Sequence, residues 1–130
     1  MRIDHIGYAV KNIEKSRQAF EAIGFSFETL FIDEKRNLYI QFGQKDGYRI
    51  ELLAKLDMSK ESPVDSYIGK IGPTPYHFCY ISNKIEEEIT ILKGYGYRVV
   101  VPLDEAIAFG NKKVVFLYNL QIGLIEIVEE

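Results

Sequence analysis

His5-Ile6-Gly7-Tyr8-Ala9 and His77-Phe78-Cys79-Tyr80-Ile81 are the two stretches that decide the fold of this chain. A shift of 72 positions lays the first on the second, and also sets Ile13-Glu14 on Ile85-Glu86 and Gly24-Phe25 on Gly96-Tyr97. The identities are few, but they mark matching points of an internal repeat. Each copy opens with strand-like alternation, passes into an amphipathic helical pattern and stops at a glycine. Ile13, Ser16, Phe20 and Ile23 share one face of the first helix, and Ile85, Ile89 and Leu92 one face of the second. Asn12 and Asn83 read as N-caps, with Glu86 completing a capping box from Asn83.

Three strand-like runs follow each helix, at 25–33, 36–43 and 48–56, then at 96–102, 112–119 and 123–129. Turn residues at Asp33 to Asn37, Gly43 to Gly47 and Gly110-Asn111 separate them. The expected architecture is α+β, two βαβββ modules forming a cupped mixed sheet with helices on the convex face. One domain over 1–130 is expected, with modules at 1–56 and 76–130 joined by a linker at 57–75. Within the linker, Ser62-Pro63 signals a short helix running to Ile71, closed by Gly72-Pro73-Thr74-Pro75. A lone module leaves one apolar sheet face uncovered, so the two should pack together.

Composition narrows the function. Among 130 residues, 47% are hydrophobic and 27% charged, with 16 Lys and Arg against 19 Asp and Glu and a formal charge of −3. This is globular composition without a basic run, which argues against a nucleic-acid partner. No apolar stretch reaches the roughly 20 residues of a membrane span, and the start lacks the apolar core of a signal peptide. A cytoplasmic location is expected, consistent with the single Cys79, which reads as a small buried hydrophobe. Paired exposed strands make a homodimer the default expectation.

Period-two alternation then isolates four residues. In the first strand Ile6, Tyr8 and Val10 face the helices, leaving His5, Gly7 and Ala9 opposite; in the repeat Phe78 and Tyr80 face the helices, leaving His77, Cys79 and Ile81 opposite. Ile50-Glu51-Leu52 and Ile125-Glu126-Ile127 each place a carboxylate between apolar neighbours, 75 positions apart. A lone carboxylate in an apolar strand costs on the order of several kcal/mol and calls for a cation. The repeat pairs His5 with His77, the only histidines of the chain, and Glu51 with Glu126. Two imidazoles and two carboxylates on one concave face suit one divalent ion of Zn, Ni, Co, Fe or Mn.

These residues resemble the vicinal oxygen chelate superfamily, whose paired βαβββ modules surround a divalent metal. Ile3 to Glu14, Ile50-Glu51-Leu52-Leu53, Ser62-Pro63-Val64 and Gly123-Leu124-Ile125-Glu126 are most similar to methylmalonyl-CoA epimerases, with glyoxalase I a further relative. Tyr76-His77, Ala108-Phe109-Gly110 and Tyr118-Asn119 depart from the epimerase pattern. The resemblance implies His5, Glu51, His77 and Glu126 as metal ligands and a metal-dependent isomerase that abstracts a proton beside a carbonyl through a stabilised enediolate. Glu126 or Glu51 would be the base in glyoxalase-like chemistry, Glu51 and Glu34 the two acids in epimerase-like chemistry. The substrate would be a small molecule such as an acyl-CoA or a glutathione adduct, with Lys112 and Lys113 available to its anions. Lactoylglutathione lyase is the alternative activity, and a non-catalytic ligand-binding or resistance protein the alternative of another class.

Overall fold

The computed structural model describes all 130 residues. The chain is α+β, with nine strands in mixed parallel and antiparallel pairing and three helices. Two compact units divide it, His5–Tyr76 and a second made of Met1–Asp4 with His77–Glu130.

The first unit runs β1 (Arg2–Ala9), α1 (Ile13–Ala22), β2 (Ser26–Phe27), β3 (Phe31–Asp33), β4 (Leu38–Lys45), β5 (Tyr48–Lys55) and α2 (Asp65–Lys70), with residues 2–4 of β1 counted in the second unit. The order across its strands is β2-β4-β5-β1, with β3 also on β4. Asn12 caps α1 as the sequence requires, its side-chain oxygen accepting from the Lys15 amide at 2.9 Å. Gly24, with φ of 108°, turns the chain out of the helix in the left-handed region open to glycine. Beneath α1 lie Val10, Phe25, Ile50, Leu52 and Ala54, with Ile6, Tyr8, Ile13 and Phe20 packed against them. Full burial of a Val, Leu, Ile or Phe side chain among them contributes about 1.5–3 kcal/mol. Ile23 does not join this face: it is the residue that ends the helix and is 62% exposed.

The run at 25–33 is not one strand. Four steps from Phe27 to Phe31 face three from Gly43 to Ile40, so one extra residue bulges between β2 and β3. Glu28 bridges the break, donating its amide to the Phe42 carbonyl and accepting from Gln41 Nε2. The linker helix also starts later than Pro63. The Asp65 carboxylate accepts from the Ser62 amide at 2.9 Å and holds residues 62–64 as a turn ahead of α2.

The second unit runs β6 (Thr74–Ser82), α3 (Ile85–Gly94), β7 (Arg98–Ala106), a 3-10 turn (Ile107–Phe109), β8 (Lys112–Asn119) and β9 (Gly123–Glu129), ordered β6-β9-β8-β7. Ile85, Val115, Leu117, Ile125 and Ile127 are buried together against Tyr80, Ile89 and Leu92. On the other face Cys79 is buried with Ala106, Val114 and Val128. Three expectations shift here. Asn83 is not the cap of α3, because the helix begins after Lys84 and the Ser82 hydroxyl takes the Lys84 amide instead. Phe78 is 50% exposed, because α3 packs on Tyr80, one step further along the same face. The strand expected at 96–102 is β7, which runs on to Ala106 through two register shifts opposite β8.

Candidate metal centre

In the first unit β1 and β5 pair in parallel with Gly7 opposite Glu51 and Ile6 opposite Ile50. His5 lies two residues before Gly7 and so shares the Glu51 face. Its Nε2 stands 3.2 Å from Glu51 Oε1. The adjoining antiparallel ladder sets Phe42 opposite Glu51, and the Phe42 ring meets His5 edge to face at 5.3 Å and 77°.

The second unit repeats this arrangement. β6 and β9 pair in parallel with Cys79 opposite Glu126, so His77 stands two residues before the carboxylate's partner just as His5 does. His77 Nε2 lies 3.1 Å from Glu126 Oε2. Phe116 faces Glu126 across the β8–β9 ladder and meets His77 at 5.3 Å and 85°. Each unit therefore builds the same trio of imidazole, carboxylate and phenyl ring from the same register.

The burial is severe: His5 and Glu51 are 1% and 3% exposed, His77 and Glu126 2% and 3%. Each carboxylate reaches its position because β5 and β9 bury both faces, Ile50 and Leu52 on one side and Ile125 and Ile127 on the other flanking the acid. Removing one member of such a pair would strand its partner in a low-dielectric interior.

The donor chemistry fits a divalent ion. Imidazole nitrogen and carboxylate oxygen bind such ions at about 2.0–2.2 Å, so two neighbouring donors on one ion stand roughly 3 Å apart. Both pairs meet that separation. Mixed nitrogen and oxygen donors favour Zn, Co, Ni, Fe or Mn over a soft ion.

Glu34 sits elsewhere. It is exposed at the turn after β3, where its carbonyl accepts from the Asn37 amide, and Leu38 at the start of β4 is four residues from Phe42, about 13 Å along a strand. Lys112 and Lys113 are exposed at the start of β8, and the Lys113 amide donates to Glu129. Sequence reading missed Phe42 and Phe116. A shift of 74 places one on the other, and the hairpin registers then carry each opposite its glutamate.

The profile of the Glyoxalase/Bleomycin resistance protein/Dioxygenase superfamily matches residues 4–118. The chain is 27% identical over 117 residues to the uncharacterised protein YqjC of Bacillus subtilis, spanning 89% of this chain and 81% of that protein. Among solved structures it resembles methylmalonyl-CoA epimerase from Mycobacterium tuberculosis, at a TM-score of 0.82 and 22% identity over 98% of this chain and 87% of that one. A Streptomyces coelicolor methylmalonyl-CoA epimerase in complex with 2-nitronate-propionyl-CoA gives a TM-score of 0.84 and 20% identity over 100% and 97% of the two chains. At these identities the structural likeness speaks for the fold, whereas the profile spans most of the sequence, and with it the chain belongs to the Glyoxalase/Bleomycin resistance protein/Dioxygenase superfamily.

Proposed function

We propose that His5, Glu51, His77 and Glu126 together hold one divalent metal ion, and that the protein is an isomerase removing a proton from carbon beside a carbonyl, on a methylmalonyl-CoA-like thioester. The observation that carries this reading is the duplicated buried pair of imidazole and carboxylate, at 3.2 Å and 3.1 Å. Likeness in fold to methylmalonyl-CoA epimerases supports the choice of substrate.

A bound divalent ion supplies Lewis-acid stabilisation of the negative charge that grows on the carbonyl oxygen, worth on the order of several kcal/mol of barrier. The protein's own groups do the rest. One of Glu126 and Glu51 would accept the proton from carbon and the other would return a proton to the opposite face, since return to the same face restores the starting stereoisomer. Phe42 and Phe116 wall the imidazoles and hold their rings in one orientation. Leu53 and Val128, each two residues after its glutamate and so on the same strand face, are buried as well.

The test is proton exchange in deuterated water, followed by NMR, with protein loaded in turn with Co, Ni, Zn and Mn. Metal-dependent label entering methylmalonyl-CoA is the expected result. Turnover of the glutathione–methylglyoxal hemithioacetal alone would replace the epimerase reading by a lyase. Stoichiometric metal with no exchange into either would leave a binding protein of the same fold. Comparing exchange from each stereoisomer in Glu126→Gln and Glu51→Gln, at metal concentrations high enough to offset the lost donor and with metal content measured on each, then assigns which carboxylate takes the proton.

A further inference from the structure

Beside the first turn of α1 the first unit carries an open groove of about 570 Å³, within the roughly 300–1,000 Å³ of small-molecule pockets. Tyr39 and Gln41 alternate with Ile40 and Phe42 along β4, and Ala54 lies three residues after Glu51 on β5. The floor of the groove is therefore the reverse of the sheet face that carries Phe42 and Glu51. Its walls come from two segments that interrupt the strands: Leu30 in the bulge between β2 and β3, and Leu56 and Met58 beyond the end of β5. Leu30 and Met58 are 40% and 79% exposed. Ile32, opposite Tyr39 across the β3–β4 ladder and 49% exposed, continues the apolar strip.

The charge of the groove runs against that of the chain. Lys11, Arg17 and Lys55 line it against a single carboxylate, Glu14, although the formal charge of the protein is −3. Lys11 takes part in no ion pair. Arg17 pairs with Glu21 at 2.7 Å and Lys55 with Asp65 at 3.2 Å, but these acids are 43% and 40% exposed, so solvent keeps both pairs weak. The repeat provides an internal comparison. At the matching end of α3 the groove measures about 310 Å³, and two lysines line it against three glutamates. The alignment that lays Phe42 on Phe116 sets Tyr39 on Lys113, and the one that lays Glu51 on Glu126 sets Ala54 on Glu129. There the Lys113 amide donates to the Glu129 carboxylate at 3.0 Å. The second unit thus fills this place with polar groups, whereas the first leaves apolar surface beneath a cationic rim.

We propose that this groove is a second binding site, for a small amphipathic anion, whose alkyl or aryl body lies on Leu30, Tyr39 and Met58 and whose single anionic head stands among Lys11, Arg17 and Lys55. Burial of the apolar body supplies most of the affinity. The cations select the sign of the ligand's charge, because an exposed ion contact adds little to affinity while a cationic head would be repelled. The sheet separates the groove from the His5–Glu51 pair, so the site stands independently of the metal-centre reading and its ligand is distinct from that centre's substrate.

The experiment is amide chemical-shift mapping by NMR with octanoate, octyl phosphate and octylammonium, which share one body and differ in head. It compares wild type with Lys11→Glu, Met58→Asp and, in the repeat's groove, Lys84→Glu, with the melting temperature of each. Lys11 and Met58 are exposed, so both variants should melt as wild type does. At least one anion is expected to give saturable shifts at residues 11–17, 30, 39–41 and 54–58, and the tighter of the two names the head group. Lys11→Glu should weaken that anion about threefold to tenfold, since reversal removes one exposed ion contact and adds a repulsion of similar size. Met58→Asp should weaken it about as much, and Lys84→Glu by less than about twofold. The inference is overturned if neither anion saturates below its micelle threshold, if the shifts centre on α3 instead, if octylammonium binds as tightly as the anions, or if Lys11→Glu and Met58→Asp both bind as wild type does.

Discussion

Saturation with a divalent ion should raise the melting temperature of this protein by about 10 °C, and substitution of one buried carboxylate should remove at least half of that gain. An ion present at 100 times its dissociation constant adds about 2.7 kcal/mol to the folded state, provided it does not bind the unfolded chain. At roughly 2.1 cal/mol/K of unfolding entropy per residue, 130 residues amount to about 0.27 kcal/mol/K, which converts 2.7 kcal/mol into the 10 °C shift. Glu126→Ala leaves three of four donors, and each tenfold loss of affinity takes away about 1.4 kcal/mol, or about 5 °C. The same variant should be less stable than wild type before any metal is added, because His77 at 2% exposure loses the carboxylate 3.1 Å away. Differential scanning fluorimetry with metal and with chelator, alongside elemental analysis, measures both terms. One ion per chain is expected. Two ions per chain would mean that each imidazole–carboxylate pair binds separately, and an undiminished metal shift in Glu126→Ala would remove that residue from the site.

Other parts of the structure make separate predictions. At Gly43 an added Cβ would come within 2.5 Å of the Phe27 ring, which is flanked by Phe20 and Phe25 at 6.4 Å and 6.3 Å. Gly43→Ala should therefore cost about 1–3 kcal/mol in urea unfolding, and an unchanged midpoint would show that Phe27 swings aside freely. Asn37, at φ of 57°, donates from Nδ2 to the carbonyls of Asp57, Lys60 and Glu61 and accepts from the Asp57 amide at 2.8 Å. Asn37→Ala should cost about 2–3 kcal/mol and speed amide exchange over 57–61; if Asn37→Gly matches wild type, backbone conformation rather than these bonds is what the residue contributes. The hydroxyl and amide of Ser59, at 2.7 Å and 2.9 Å, hold the Asp57 carboxyl below its ordinary range. A carboxyl lowered on folding adds stability above its unfolded pKa and loses it as pH falls through the folded value. Ser59→Ala should raise the Asp57 pKa toward the ordinary carboxylate value in an NMR titration, and an unmoved titration would assign the shift to other groups.

Local chemistry wrote part of this protein directly into its residues. The Asn12 cap, the glycines that end α1 and α3, and the alternation that sets His5 and His77 away from the helices follow from preferences that span only a few positions. The repeat then raised four isolated residues to a candidate ligand set, because chance seldom places imidazoles and acids at duplicated strand positions. Where neighbours compete, the sequence was a poorer guide. Ser82 displaced Asn83 from the turn before α3, and a single extra residue split the strand expected at 25–33. Phe42 and Phe116 gave no signal of their own. Their closeness to the histidines and glutamates depends on which residue faces which across a ladder, and register is set by turn length and by hydrogen bonds between distant segments rather than by the period of any one strand. Alternation told which face each side chain takes; tertiary pairing decided its neighbours on that face, because only the closed ladder fixes positions across strands.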